Sequence, residues 1–398
     1  MKRLFAFRGI PRSVWMLGLV SLFMDISSEM IHSLLPVFLV IGLGASALSL
    51  GVIEGVAEAT ALISRVFSGI LSDWLGKRKA LAVIGYGMAT ITKPLFAMAT
   101  GVKLVFTARF LDRIGKGIRG APRDALIADI TSEENRGAAF GLRQSMDTAG
   151  AFIGPTLASI LMFATSDSFR TVFWVAVIPG IIAVTLLALG VEEPAHRQGE
   201  KKGRPIRFAD MKLLGRAYWF VVAFGSIFTL ARFSEAFILL RAQGVGVSVP
   251  LIPFVLVLMN VVYTLSAYPV GILSDNLGRM GLLAAGCFVL IVSDAVFALA
   301  SGYGLIALGA ALWGLHMGLT QGIFSALIAD TSPDHLRGSA FGIFSLSSGI
   351  AMLIASMLAG WLWDVAGPPA TFWAGAAFAL VGLTGFMIRS KNIDSLPA

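Results

Sequence analysis

The stretch SLFMDISSEMIHSLLP, from Ser21 to Pro36, sets three ionisable groups in an otherwise mostly apolar run. Asp25, Glu29 and His32 are spaced i, i+4, i+7, so they share one face of a helix. A rise of about 1.5 Å per residue puts Asp25 roughly 18–20 Å beyond Arg12. Carboxylates held out of water can exchange protons during a working cycle. Asp25 and Glu29 are therefore candidates for proton coupling, and together with His32 they are candidates for contacting a substrate. The same face offers oxygen and nitrogen donors to a divalent metal. A static ion pair with basic groups on another helix is the plain alternative.

A second stripe begins at Arg109. In RFLDRIGKGIRGAPR the charged residues Arg109, Asp112, Arg113, Lys116, Arg119 and Arg123 recur every three or four positions along one helix. Arginine grips carboxylate or phosphate with two parallel hydrogen bonds, so the stripe suits an anionic solute. It can equally serve as partner to acids elsewhere. Within the apolar spans of the first half the acids include Asp25, Glu29, Glu54, Glu58, Asp112 and Asp147. The cations set against them include Arg65, Lys93, Arg109, Arg113, Lys116, Arg119 and Arg143. That near balance favours mutual pairing for most of the set. Glu58 and Asp112 join the proton-coupling candidates; Arg109, Arg113 and Lys116 join the substrate-contacting ones. In the second half, Arg232 and Glu235 sit at i, i+3 and either pair or help to close a gate, with Glu235 a further substrate contact. His316 aligns with the charged stripe and could line a cavity. Asp294 is set to face another helix, and nothing in the pattern assigns it a role.

These groups need apolar elements to hold them. Of 398 residues 57% are hydrophobic and only 14% charged, with a mean hydropathy of +0.83. A single soluble core cannot hide that excess, because domains stop growing at roughly 250–300 residues. The composition is that of a protein that crosses a membrane many times. A spanning helix needs about 20 apolar residues. Twelve stretches qualify: 14–41, 49–72, 80–100, 104–126, 137–163 and 171–191, then 217–241, 250–274, 281–301, 304–329, 338–363 and 370–389. The basic start MKRLFAFRGIPR precedes an apolar run too long for a cleaved signal core, so it reads as a retained first span. The lone Cys287 excludes an internal disulfide, and four histidines are too scattered for a structural zinc site.

Lys and Arg concentrate at the N-terminus, in the loop Lys77–Lys79, along Glu192–Arg216 and at the C-terminus, while GLGASAL, ATGV, SGYG and DVAGPPA carry none. The positive-inside bias then puts both termini and the middle segment in the cytoplasm. The net charge of +8 is an orientation signal, and nucleic acid is not an expected partner. The expected organisation is a six-helix bundle over 1–191, a linker over 192–216 and a second six-helix bundle over 217–398. The halves are copies. GILSD occurs at Gly69–Asp73 and Gly271–Asp275, ALIAD at 125–129 and 326–330, and Arg136-Gly137 maps to Arg337-Gly338 at an offset of about 201 residues.

With these features the chain resembles the major facilitator superfamily over essentially its whole length. The signature between spans two and three is GILSDWLGKRK, holding Gly69, Asp73, Gly76, Lys77 and Arg78. A weaker copy, GILSDNLGRMG, holds Gly271, Asp275 and Arg279. The resemblance implies that the glycine admits a neighbouring helix and that the acid and bases form a cytoplasmic latch. A span-four signature is matched only in part: after Arg109, Asp112 stands where the family has glutamine. The span-five stretch GAFIGPTLA, with Gly150, Gly154 and Pro155, looks like the motif of the family's antiporters.

The resemblance implies an all-α integral membrane protein of two pseudo-symmetric six-helix bundles that alternates access to a central site. The function expected is proton-coupled antiport exporting a small amphipathic or anionic organic compound. Export of a divalent metal, or proton-coupled import of an organic anion, are the alternatives. The partners expected are a small-molecule substrate, protons and the lipid bilayer, with the chain acting as a monomer. The place expected is the plasma membrane, the inner membrane in a bacterium. No cofactor or bound metal is expected. Neither HExxH nor GxSxG occurs, and no phosphate-cradling glycine loop is present, so an enzyme or an ATP-driven pump is not indicated.

Overall fold

The computed structural model describes residues 10–193, 213–277, 279–333 and 336–393. All regular structure among them is helical. Among the described residues, ten helical segments are long and apolar enough to cross a membrane. The chain is a multi-pass, all-α membrane protein.

The contacts divide it into two compact units, one of Met1–Phe38 with Thr60–Pro205 and one of Leu39–Ala59 with Ile206–Ala398. Residues 39–59 therefore group with the second unit, whereas the duplication alone places them in the first half. Most of the segment 192–216 (194–212) and the side chains of Asp73, Asp275 and Arg279 lie outside the described residues.

The first unit holds α1 (Arg12–His32), the later part of α3 (Ala47–Leu75), α4 (Arg78–Ala97), α5 (Val102–Ile130), α6 (Arg136–Ala164), α7 (Phe169–Val175) and α8 (Val177–Gly190). After α1 come a short turn α2 (Leu35–Val37) and a wide turn Phe38–Gly42. Pro36 lacks the N–H that would bond the His32 carbonyl, so the regular helix ends there. In lipid, helices gain little from apolar burial and associate through close packing and hydrogen bonds. The packing here follows that rule. A Cβ on Gly85 of α4 would stand 2.7 Å from the Gly115 carbonyl of α5. Ser68 Oγ on α3 donates to the Gly117 carbonyl at 2.9 Å, and Ser27 Oγ on α1 donates to the Ala176 carbonyl at 2.6 Å. Such bonds contribute about 0.6 kcal/mol each on average.

The second unit holds the start of α3, α9 (Arg216–Ala231), α10 (Ala236–Gly244), α11 (Pro253–Leu277), α12 (Arg279–Leu299), α13 (Tyr303–Thr331), α14 (Arg337–Ala366) and α15 (Pro368–Ile393). The single span expected over 217–241 is interrupted: α9 stops at Ala231 and α10 starts at Ala236. The four residues between contain neither Pro nor Gly. The interruption carries one tertiary bond, Ser234 N donating to Ser356 Oγ, and one local bond, Ala236 N donating to Ser234 Oγ, both at 3.3 Å. The start of α3 is fastened to α14, where the Asp364 carboxylate accepts from Ala47 N at 3.0 Å and Leu48 N at 2.9 Å. Large apolar side chains such as Leu189, Ile91 and Leu265 are exposed on the outer faces, as lipid contact requires.

Candidate functional site

The acidic face of α1 is seated by glycines of α6. A Cβ on Gly150 would stand 2.8 Å from the Asp25 Cβ, and one on Gly154 would stand 2.9 Å from the Glu29 Cβ. The i, i+4 acids of one helix thus lie against the i, i+4 glycines of the other. Pro155 follows inside α6, buried. The two stretches that the sequence singled out separately form one helix crossing. Glu29 Oε2 lies 3.5 Å from His32 Nδ1, so the acid and the histidine of the α1 stripe are brought together.

Helix α5 supplies the opposing charge. Lys116 and Arg119 act electrostatically on Asp25, and Lys116 and Arg113 on Glu29. Asp147 of α6 acts on Asp25 as a like charge and is itself bonded to Arg143 at 2.5 Å. Arg109, Asp112, Arg113 and Arg119 are all buried, whereas Lys116 is exposed. The Arg119 guanidinium lies 4.7 Å over the Tyr86 ring, a contact that offsets part of the cost of burying a cation. Asp112 is engaged differently from Asp25 and Glu29. Its Oδ1 meets Lys93 Nζ of α4 at 2.9 Å, and Lys93 also donates to Ser28 Oγ at 3.1 Å. Lys93 is a residue that sequence reasoning counted but did not select. A lysine in mid-span was the signal, and its partner could not be read because the pairing joins two helices.

The remaining candidates lie elsewhere. Glu58 is on the part of α3 that groups with the second unit and is half-buried. Arg232 and Glu235 are the first and last of the four residues between α9 and α10, so both lie within the interruption. Arg232 acts electrostatically on Glu235 and on His316. His316 is fully buried, edge-on to Trp313 with ring centroids 5.1 Å apart.

In the first latch sequence, Gly76 adopts a φ of +64° just after α3, a left-handed turn that glycine enters without penalty. Arg78 pairs with Asp129 and donates to the Ala125 carbonyl at 3.0 Å. This ties the signature to the repeated ALIAD stretch. A Cβ on Gly69 would meet Ala121 at 3.4 Å, which is ordinary contact. Lys77 is exposed at the start of α4, and Gly271 is exposed in α11.

Comparisons with known proteins agree with this architecture. A family model described as Major Facilitator Superfamily matches residues 17–241 and again 220–395. An uncharacterised MFS-type transporter of Methanocaldococcus jannaschii is 33% identical, over 94% of each chain. Multidrug resistance protein 1 of Bacillus subtilis is 28% identical over 45% of this chain and 46% of that one. The crystal structure of the nucleoside transporter NupG superposes with a TM-score of 0.79 at 14% identity, covering 96% of this chain and 100% of that one. Family model, full-length relative and fold coincide on the same conclusion: this chain belongs to the major facilitator superfamily of membrane transporters.

Proposed function

We propose that the protein is a proton-coupled antiporter that exports a small amphipathic or anionic organic compound, acting as a monomer of twelve spans with both termini in the cytoplasm. The observation that carries this reading is the crossing of α1 and α6. There Gly150 and Gly154 seat Asp25 and Glu29 close to the cations of α5. A carboxylate facing an exposed lysine can hold either a proton or the attraction of that cation. Solute arriving near Lys116 would compete for the same charge, which couples its movement to proton release. The partial likeness to a protein named for multidrug resistance supports export. No group of three or more His, Cys, Asp or Glu able to hold a metal ion occurs among the described residues, so nothing there favours the metal-export alternative.

The test is solute-driven proton flux in proteoliposomes, with solutes first chosen by a thermal-shift screen, since a ligand of the folded state raises its stability. Counterflow of solute and protons is expected in the wild type. Asp25→Asn and Glu29→Gln are expected to abolish proton movement while solute still stabilises the protein. Unchanged coupling in both variants would overturn the assignment, and protons moving with the solute would replace antiport by symport.

A further inference from the structure

The second unit contains an acid that its own fold leaves without a partner. Asp294 on α12 has no exposed surface, and neither of its carboxylate oxygens has a hydrogen-bond partner. The repeat makes this unusual. Helices α4 and α12 start 201 residues apart, as do α5 and α13. By that offset Asp294 corresponds to Lys93, and Trp313 to Asp112. The first unit completes the pair with an ion pair at 2.9 Å. The second has the acid where the first has the base, and an indole, whose Nε1 also lacks a partner, where the first has the acid.

Among the described residues, no cation answers Asp294 from any element around it. On its own helix the titratable residues are Arg279, which is about four turns away, and the buried Cys287. Helix α15 has no titratable residue from 368 to 388. On α13 the neighbouring group is His316, and on α11 it is Tyr263; Arg232 at the interruption acts on both and on Glu235. Glu235 is itself an acid. Arg241 of α10 spends its guanidinium on the carbonyls of Phe297, Ala298 and Ala300, at 3.0, 3.2 and 2.8 Å. On α9, Tyr218 bonds the Ala340 carbonyl, and Arg216 is at the first residue of the helix.

What does face the acid is the broken helix. A Cβ on Gly375 of α15 would stand 2.6 Å from Asp294 Oδ2 and 3.2 Å from the Ala231 carbonyl oxygen, so both oxygens crowd one small space. Ala231 ends α9, where the carbonyls of the last turn have no partner within the helix. Phe233, Phe372, Phe297 and Trp313 pack in a closed ring nearby, with centroids 5.2–6.4 Å apart. They offer no further oxygen, and a metal cation such as sodium needs several. A proton needs only two.

We propose that Asp294 and the Ala231 carbonyl form a proton-binding site of the second unit, in which the protonated acid donates its O–H to the carbonyl across the interruption between α9 and α10. The proton comes from water and returns to water. Leaving, it turns a hydrogen bond between two oxygens into repulsion, so the interruption must open whenever the acid ionises. The site deepens the proton-coupled reading and rests on that reading for its use, but its geometry is separate from Asp25 and Glu29.

Infrared spectroscopy of the purified protein in lipid tests it without a transported solute. The wild type is expected to show a protonated-carboxyl C=O band that shifts in heavy water and disappears on raising the pH. Asp294→Asn should remove that band. Gly375→Ala, which leaves the acid in place but crowds it, should shift the band. A band absent from the wild type, or one unmoved by heavy water and pH, would overturn the proposal. Loss of the band on adding sodium at constant pH would overturn the choice of a proton. Running Asp25→Asn and Glu29→Gln beside these separates the two readings. If those variants keep proton flux while the Asp294 band still titrates, the first-unit assignment fails and this one stands.

Discussion

The ionisable side chains inside the first unit do two kinds of work. Lys93 and Asp112 hold each other at 2.9 Å with almost no exposure. Removing one member of such a pair strands the other and costs about 3–5 kcal/mol, while replacing both with apolar groups is often neutral. Lys93→Met and Asp112→Asn are accordingly expected to lower thermal stability sharply. The double change Lys93→Met with Asp112→Leu should regain most of it. A pair serving transport directly would instead leave the double variant stable and inactive, so flux measured on that variant separates structure from coupling. Asp25 and Glu29 differ because their helix neighbours are glycines and the cations that act on them include the exposed Lys116 beside the buried Arg119 and Arg113. The sequence distinguished these acids from Asp112 only weakly. Spacing along one helix reveals which groups share a face, and it says nothing of which residue on another helix will meet them.

Among the elements, the crossing of α1 and α6 is a tight point at the candidate site. Gly150→Ala would put its methyl 2.8 Å from both the Asp25 Cβ and the Leu22 carbonyl, and backbone cannot yield as a flexible side chain can. The cost expected is about 1–3 kcal/mol of overpacking, visible as a lower Tm in detergent. Gly69→Ala, meeting only Ala121 at 3.4 Å, should leave Tm nearly unchanged. Helical character and its interruptions were not equally legible. The apolar runs, the duplicated GILSD and ALIAD stretches and the glycine spacing on α6 all follow from composition and period. The break at Arg232–Glu235 does not. It has no proline or glycine, and the tertiary bond it makes is to a serine on α14 more than a hundred residues later. Likewise Gly69 carries a recognised signature, yet the backbone turn that needs glycine is at Gly76.

At the scale of the molecule, the chain passes between its two compact units three times: after Phe38, after Ala59 and after Pro205. Cutting the middle segment removes one passage and leaves two. A chain carrying an engineered protease site between Glu193 and Leu213 is therefore expected to stay together after cleavage. Size-exclusion chromatography in mild detergent checks this, and separate elution of the fragments would contradict it. The carboxylate of Asp364 bears on the same point, because it accepts from the first backbone N–H groups of α3 across 317 positions of sequence. A ribosome releases Ala47 long before it makes Asp364. The first two N–H groups of this helix thus gain these acceptors only after about 316 further residues have been added, so the start of an early helix is fastened by a residue made far later.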